Sequence, residues 1–116
     1  MEMEKLARIA LLYDVYGALL TPKQQEALSF IYDQDLSLGE VATIWGTSRQ
    51  AVYDVVHRSI EALERYEKKV GYVAYMTQLE QAKAQLTEAV ATKCWARAQE
   101  ALSLWEAADG SPQIKE

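Results

Sequence analysis

The sequence predicts an all-α protein, and three observations carry that expectation. Every run with apolar periodicity repeats at three or four residues, and none alternates apolar and polar side chains as a half-buried strand would. Residues 72–109 contain neither proline nor glycine and are rich in alanine, a composition that favours helix. Ser or Thr followed three residues later by Gln or Glu stands where periodic runs begin, which is the capping-box signature. With 116 residues, half of them apolar, the chain can hide roughly two-thirds of its surface and build a core without staples. That excludes a wholly disordered chain.

Taken in order, Leu6, Ile9, Ala10, Tyr13, Tyr16 and Leu20 fall on one face of a first helix. It should stop before Pro22, because proline disfavours a helical residue ahead of it. Thr21, Pro22 and Gln24 open a second helix, with threonine as cap, proline at the first helical position and glutamine closing the box. This helix should run through Leu28, Ile31 and Tyr32 to about Gln34. Ser37 and Glu40 open a short third helix, "LGEVATIW". Thr47 or Ser48 caps a fourth, with Ser48 preferred, and that helix should continue to Gly71. Beyond it, Tyr72, Met76, Leu79, Lys83, Leu86 and Val90 form one stripe. A second stripe begins in a shifted frame at Ala91, Trp95, Ala98, Leu102 and Trp105. One straight helix or a pair folded back between residues 91 and 92 explains the phase change equally well. The organisation expected is a bundle over residues 1–70, a helical extension over 71–109 and a frayed tail over 110–116.

Charge and cysteine content narrow the class. The chain carries 17 acidic and 12 basic side chains, a net charge of −5. Residues 1–47 have a balance of −4 and residues 70–116 a balance of −2, whereas residues 48–69 stand at +1. The only segment that is not negative therefore begins with the fourth helix, though it is a faint footprint beside the basic stripe of a strong nucleic-acid binder. Cys94 is the sole cysteine, so no internal disulfide forms, which favours a reducing compartment. The opening "MEMEKLARIALLYDVYG" has an acidic start and an apolar run broken by Asp14. It resembles neither a signal peptide nor a membrane span, so a cytoplasmic protein is expected.

The stretch "SLGEVATIWGTSRQAVYDVVHR", residues 37–58, has the spacing of a helix-turn-helix. Ala42 supplies a small side chain where two helices must touch, and Gly46 a turn residue that adopts positive φ at little cost. Val41, Ile44, Trp45, Val52 and Val55 supply a shared core, and Ser48 aims the second motif helix outward. With Val52, Val55, Ile60 and Leu63 facing inward, Arg49, Gln50, Tyr53, Asp54 and His57 are left on the exposed face. Arg can fork onto guanine and Gln onto adenine, while Tyr53 can stack or hydrogen-bond a phosphate. The candidate nucleic-acid-binding residues are Ser48, Arg49, Gln50, Tyr53, His57 and Arg58. Asp54 opposes that reading, since its carboxylate repels phosphate.

The segment "LTPKQQEALSFIYDQDLSLGEVATIWGTSRQAVYDVVHRSIEALERYE" resembles region four of bacterial sigma factors. It is more closely similar to the YlxM family of small bacterial helix-turn-helix proteins. The shared features are the "LLT.KQ" opening, the "SLGE" helix start, "SRQAVYD" and "LE.YE" before a glycine, and they cover roughly residues 6–72. The extension matches that family only in being helical and of similar length. The resemblance implies a regulatory or accessory protein of the signal recognition particle pathway, with the particle's RNA or protein as partner, and no catalytic activity. Sigma factors tend to carry Arg and Gln where this chain has Tyr53 and Asp54, which argues against promoter reading.

No cofactor or metal is expected. His57 and Cys94 lie on different helices and lack further ligands, whereas zinc normally takes four. The five glycines are scattered, so no phosphate-cradling loop forms. An enzyme is the least favoured class. The alternative to nucleic-acid binding is a protein–protein adaptor that keeps the helix-turn-helix as a scaffold. The apolar stripes beyond residue 71 exceed what an exposed helix should carry, so a homodimer held through residues 72–108 is expected; the rival is a pair folded back at Ala91–Thr92 that satisfies both stripes within one chain.

Overall fold

The computed structural model describes residues 2–108 and Ile114. It contains six α-helices: α1 (Glu2–Tyr16), α2 (Pro22–Leu28), α3 (Leu38–Trp45), α4 (Arg49–Val70), α5 (Tyr72–Ala91) and α6 (Trp95–Ala107). A 3₁₀ turn, Gly17–Leu19, follows α1, and α2 passes directly into a π-helical turn, Ser29–Asp33. Among the described residues there is no strand, and no helix is long and apolar enough to cross a membrane. The fold is all-α, with a helix-turn-helix formed by α3 and α4. The chain divides into two compact units between residues 67 and 68. The tail expected to fray, residues 110–116, lies outside the described residues except for Ile114, which is exposed.

In the first unit the helix boundaries follow the capping chemistry. The Gln24 amide donates to Thr21 Oγ1 (3.2 Å) and the Thr21 amide to Gln24 Oε1 (3.0 Å), with Pro22 at the first helical position. The Glu40 amide donates to Ser37 Oγ (3.1 Å) and the Ser37 amide to Glu40 Oε1 (3.0 Å). These four bonds satisfy N–H groups that a helix start leaves orphaned. The second helix widens at its end. The Gln34 amide reaches back to Ser29 O at 3.0 Å, an i to i−5 bond, and Asp35 then turns the chain at φ 57°.

Leu12, Val41, Val52 and Leu63 are fully buried and join Ile9, Tyr16, Leu20, Leu28 and Val56 in the core. Three expectations about facing need correction. On α1 the inward line is Ile9, Leu12, Tyr16 and then Leu20, while Leu6 and Ala10 are exposed and Tyr13 is half-buried. The run "IALLY" is apolar on every side, so periodicity alone cannot choose its phase. The larger Leu12 takes the inward place that Ala10 was expected to hold. Leu6, Ala10 and Tyr13 instead line a groove of about 360 Å³ with Leu28 and Tyr32. On α3, Ile44 is 57% exposed and Trp45 half-buried, so neither is shared core. On α4 the inward line is Val52, Val56, Ser59 and Leu63, with Val55 and Ile60 half-buried at its edges. Ser59 sits in the apolar line because its hydroxyl donates to Val55 O at 2.7 Å, which hydropathy does not register.

Polar ties complete this unit. Arg8 grips Glu64 with two N–H groups, Nη2 to Oε1 at 2.8 Å and Nε to Oε2 at 3.3 Å. The hydrogen bond to Glu64 holds the Arg8 guanidinium above its ordinary pKa. Tyr16 Oη donates to Oε1 of the buried Glu67 at 2.6 Å, fastening the end of α1 to α4.

The second unit is a helical hairpin of α5 and α6, so the folded-back pair is the form observed rather than one straight helix. The helices part at residues 92–94, where the Cys94 amide donates to Ala89 O (2.9 Å) and the Lys93 amide to Val90 O (3.2 Å). This is the Schellman closure, with Lys93 at φ 56° in the place glycine usually takes. The buried side chains here are Val73, Ala82 and Ala89 on α5, Ala101 on α6 and then Ala108 at its end, so alanine predominates. In each pair the alanines stand one heptad apart, which brings two backbones close along a seam. The expected stripes are therefore turned outward. Leu79, Leu86 and Ala98 are half-buried, and Met76, Lys83, Val90, Trp95, Leu102 and Trp105 are exposed.

Candidate nucleic-acid interface

The site is built by the turn between α3 and α4. Gly46 closes α3 in the left-handed region at φ 68°, ψ 40°. The Thr47 amide returns to Ala42 O (3.0 Å) and the Gly46 amide to Thr43 O (3.3 Å), again the Schellman pattern. A side chain at Gly46 would meet nothing within 4 Å, so its need for glycine is backbone strain, not space. Ser48 then caps α4, its Oγ accepting from the Ala51 amide at 3.1 Å. Ala42 is buried beside the turn, as close helix contact at the elbow requires.

The structure places all six candidate residues on exposed surface at the start and outer face of α4. Arg49 lies over the first turn of α3, where a Cβ on Gly39 would stand 3.8 Å from its Cδ and Nε. Gln50 is engaged: its Nε2 donates to Asp54 Oδ1 at 3.0 Å. Tyr53 and His57 stack one turn apart, ring centres 5.8 Å apart and planes at 8°. His57 Nε2 stands 3.7 Å from Glu61 Oε1. Arg49 and Arg58 make no hydrogen bond or ion pair among the described residues. The face thus presents two arginines and an aromatic pair, with Asp54 and Glu61 between and beyond them.

Two features of the site escaped sequence reasoning. Asp54 is more than a charge opposed to phosphate, since it also accepts from Gln50 and so positions it; the spacing of four residues on one helix is the available signal. The second feature flanks the turn. Trp45 Nε1 donates to Glu26 Oε1 at 2.6 Å, and the Lys23 ammonium lies 4.9 Å from the centre of the Trp45 ring. This cluster ties α2 to the end of α3 and puts a cation over the Trp45 ring. No local spacing announces it, since the partners are far apart in sequence. Among the described residues no cluster of three His, Cys, Asp or Glu side chains could hold a metal.

The fold and the turn geometry define a helix-turn-helix protein. The family described as "Putative helix-turn-helix protein, YlxM / p13 like" (UPF0122) matches residues 3–109. The chain belongs to that family. It is 50% identical over 72 residues to a UPF0122 protein of Symbiobacterium thermophilum, covering 62% of this chain and 67% of that one. A UPF0122 protein of Listeria innocua is 47% identical over 89 residues, 73% of this chain and 81% of its own. A third, from a Geobacillus species, is 45% identical over 91 residues, 78% and 83% respectively. The family is described by its helix-turn-helix and not by a reaction.

Proposed function

We propose that the protein binds nucleic acid through the outer face of α4, as a cytoplasmic regulatory or accessory factor of the signal recognition particle pathway. The supporting observation is the run of exposed side chains Arg49, Gln50, Tyr53, His57 and Arg58 on the motif's second helix, capped by Ser48. In this reading Arg49 contacts a base edge or phosphate, Gln50 reads a base after leaving Asp54, and the stacked Tyr53 and His57 meet sugar and phosphate. The link to the signal recognition particle rests on the resemblance to YlxM proteins, and its RNA or its protein component is the partner proposed. The adaptor reading has its own support in the exposed Ile44 and in the acidic side chains Asp54 and Glu61 on the same face.

A titration of labelled duplex DNA and of signal recognition particle RNA at 50 and 200 mM salt tests the choice. Phosphate-mediated binding must weaken steeply over that range, whereas an apolar protein contact need not. Arg49→Ala should weaken binding by about 1–3 kcal/mol, and Asp54→Asn should strengthen it on random duplex at low salt. Binding to neither nucleic acid at 50 mM salt, or binding indifferent to Arg49→Ala, would leave the adaptor reading in its place.

A further inference from the structure

We propose that one side of the α5–α6 hairpin is the docking surface for a second copy of this chain, the two hairpins closing into a four-helix bundle. The inference is independent of nucleic-acid binding and rests on the second unit alone. Its starting point is the alanine seam. Ala82, Ala89, Ala101 and Ala108 are buried, and among the larger described side chains of α5 and α6 Val73 alone is buried with them.

Helical phase shows where the large ones go. At 100° per residue, Leu79, Leu86, Val90 and Met76 lie within about 120° of the seam, all on one flank of α5. On the antiparallel α6, Trp105, Leu102 and Trp95 lie within about 120° of its seam, on the same side of the hairpin. The opposite side is mainly polar, with Leu104, 46% exposed, as its apolar member. Gln85, Glu88, Arg97 and Glu100 surround one shallow depression along the seam, and Arg97 Nη1 stands 3.9 Å from Glu88 Oε1. The hairpin is therefore amphipathic as a unit, mainly polar above the plane of its two helices, where Leu104 is the exception, and apolar below it.

The apolar side is open. Trp95 is 70% exposed, Val90 56%, Leu102 50%, Trp105 44% and Met76 36%. Their exposed apolar surface is on the order of 500 Å² per chain, given the size of aromatic side chains. That is as large as the biggest patch of an ordinary monomer, and most of the roughly 800 Å² per partner in a stable interface. A second copy brings the same patch about a twofold axis, and two hairpins supply the four helices that enclose such a core. Charge gives no reason to prefer a charged partner. Lys83 is the charged member of this face; its stem adds apolar area and its ammonium can reach solvent at the rim.

Sedimentation equilibrium of the full chain between about 1 and 100 µM tests the proposal, since that range brackets micromolar association. Wild type should sediment as a dimer. Trp105→Glu and Leu102→Glu should each raise the dimer Kd about thirtyfold or more, the loss expected for an anchor at the centre of an interface. Gln85→Glu, on the polar side, should leave the mass unchanged. Circular dichroism checks that each variant keeps its helicity. If Trp105→Glu fails to fold, Val90→Lys at the edge of the same face should raise the Kd while preserving the fold. A wild-type monomer at 100 µM overturns the proposal, as does a dimer indifferent to Leu102→Glu and Val90→Lys or one lost equally in Gln85→Glu.

Discussion

The two units of this chain solve the burial problem in opposite ways. The first places its large side chains inside: Leu12, Val41, Val52 and Leu63 are buried completely, and Arg8, Tyr16, Glu64 and Glu67 lash α1 to α4 around them. The second places alanines inside and its tryptophans outside. Burial of apolar area stabilises in proportion to the area removed from water, so the first unit gains far more from its own packing. A seam of alanines gains little area but brings backbones into close contact, and it leaves the larger side chains for another surface. The difference separates a unit whose large side chains are mostly inside from one whose large side chains are mostly outside.

The sharpest way to break this comparison is to delete matching side chains. Leu63→Ala, at a completely buried position, should cost about 2–5 kcal/mol through lost burial and a residual cavity. Leu102→Ala, half exposed, should cost well under that at concentrations where the chain is monomeric. Urea unfolding at low protein concentration measures both, and equal losses would erase the distinction between the units.

Overpacking probes the small residues of both units together. Ala42→Leu at the elbow and Ala89→Leu in the hairpin seam should each cost about 1–3 kcal/mol, because a close helix contact cannot absorb three more heavy atoms. An unchanged melting temperature for Ala42→Leu would remove the close-packed elbow. The same result for Ala89→Leu would remove the seam.

A smaller effect, of opposite sign, belongs to the hairpin turn. Lys93 holds φ 56°, a region that costs a residue with a Cβ about 1 kcal/mol. Lys93→Gly should relieve that strain, less what glycine adds to unfolded-chain entropy, and so raise the midpoint of unfolding slightly. A lowered midpoint would show that the lysine side chain contributes more than its backbone costs.

The smallest effect expected concerns pH. The hydrogen bonds of Glu40 with Ser37 hold its carboxyl below the usual glutamate value. A depressed folded-state pKa contributes stability above the unfolded pKa, and this is lost as pH falls through the lower, folded one. Between neutral pH and the unfolded value the contribution should therefore stay constant, then decline in more acidic solution. Comparing Glu40→Gln with wild type across that range checks the sign, since the variant should lose this part of the acid sensitivity.

Much of the fold was legible because its signals are local. The boxes at Thr21 and Ser37, the cap at Ser48 and the turn at Gly46 each involve residues within a few positions of one another. Backbone donors at helix starts need partners whatever the rest of the chain does. The outer face of α4 was legible for the same reason, since the residues opposite Val52 and Leu63 must point away from them. Less legible were the facing of α1, the exposure of Ile44 and the cluster of Lys23, Glu26 and Trp45. In "IALLY" several phases bury similar apolar area, and only the shape of the opposing helices selects Leu12. The pairs of Arg8 with Glu64 and Tyr16 with Glu67 span more than fifty residues, and nothing in either neighbourhood names the other.

The sequence by itself determined that the chain is helical, where its first helices begin and that residues 37–58 make a motif with an elbow at Gly46. Those outcomes follow from the bonding needs of the backbone and from side chains a turn apart. It left open whether residues 72–108 form one helix or two. The phase change at residue 91 fitted both, and the turn there uses a lysine where glycine would have announced a stop. Tertiary structure decided for two helices. Once Ala82 and Ala89 can lie against Ala101 and Ala108, the close contact of two backbones outweighs the strain at Lys93. That choice then turns the tryptophans of α6 outward.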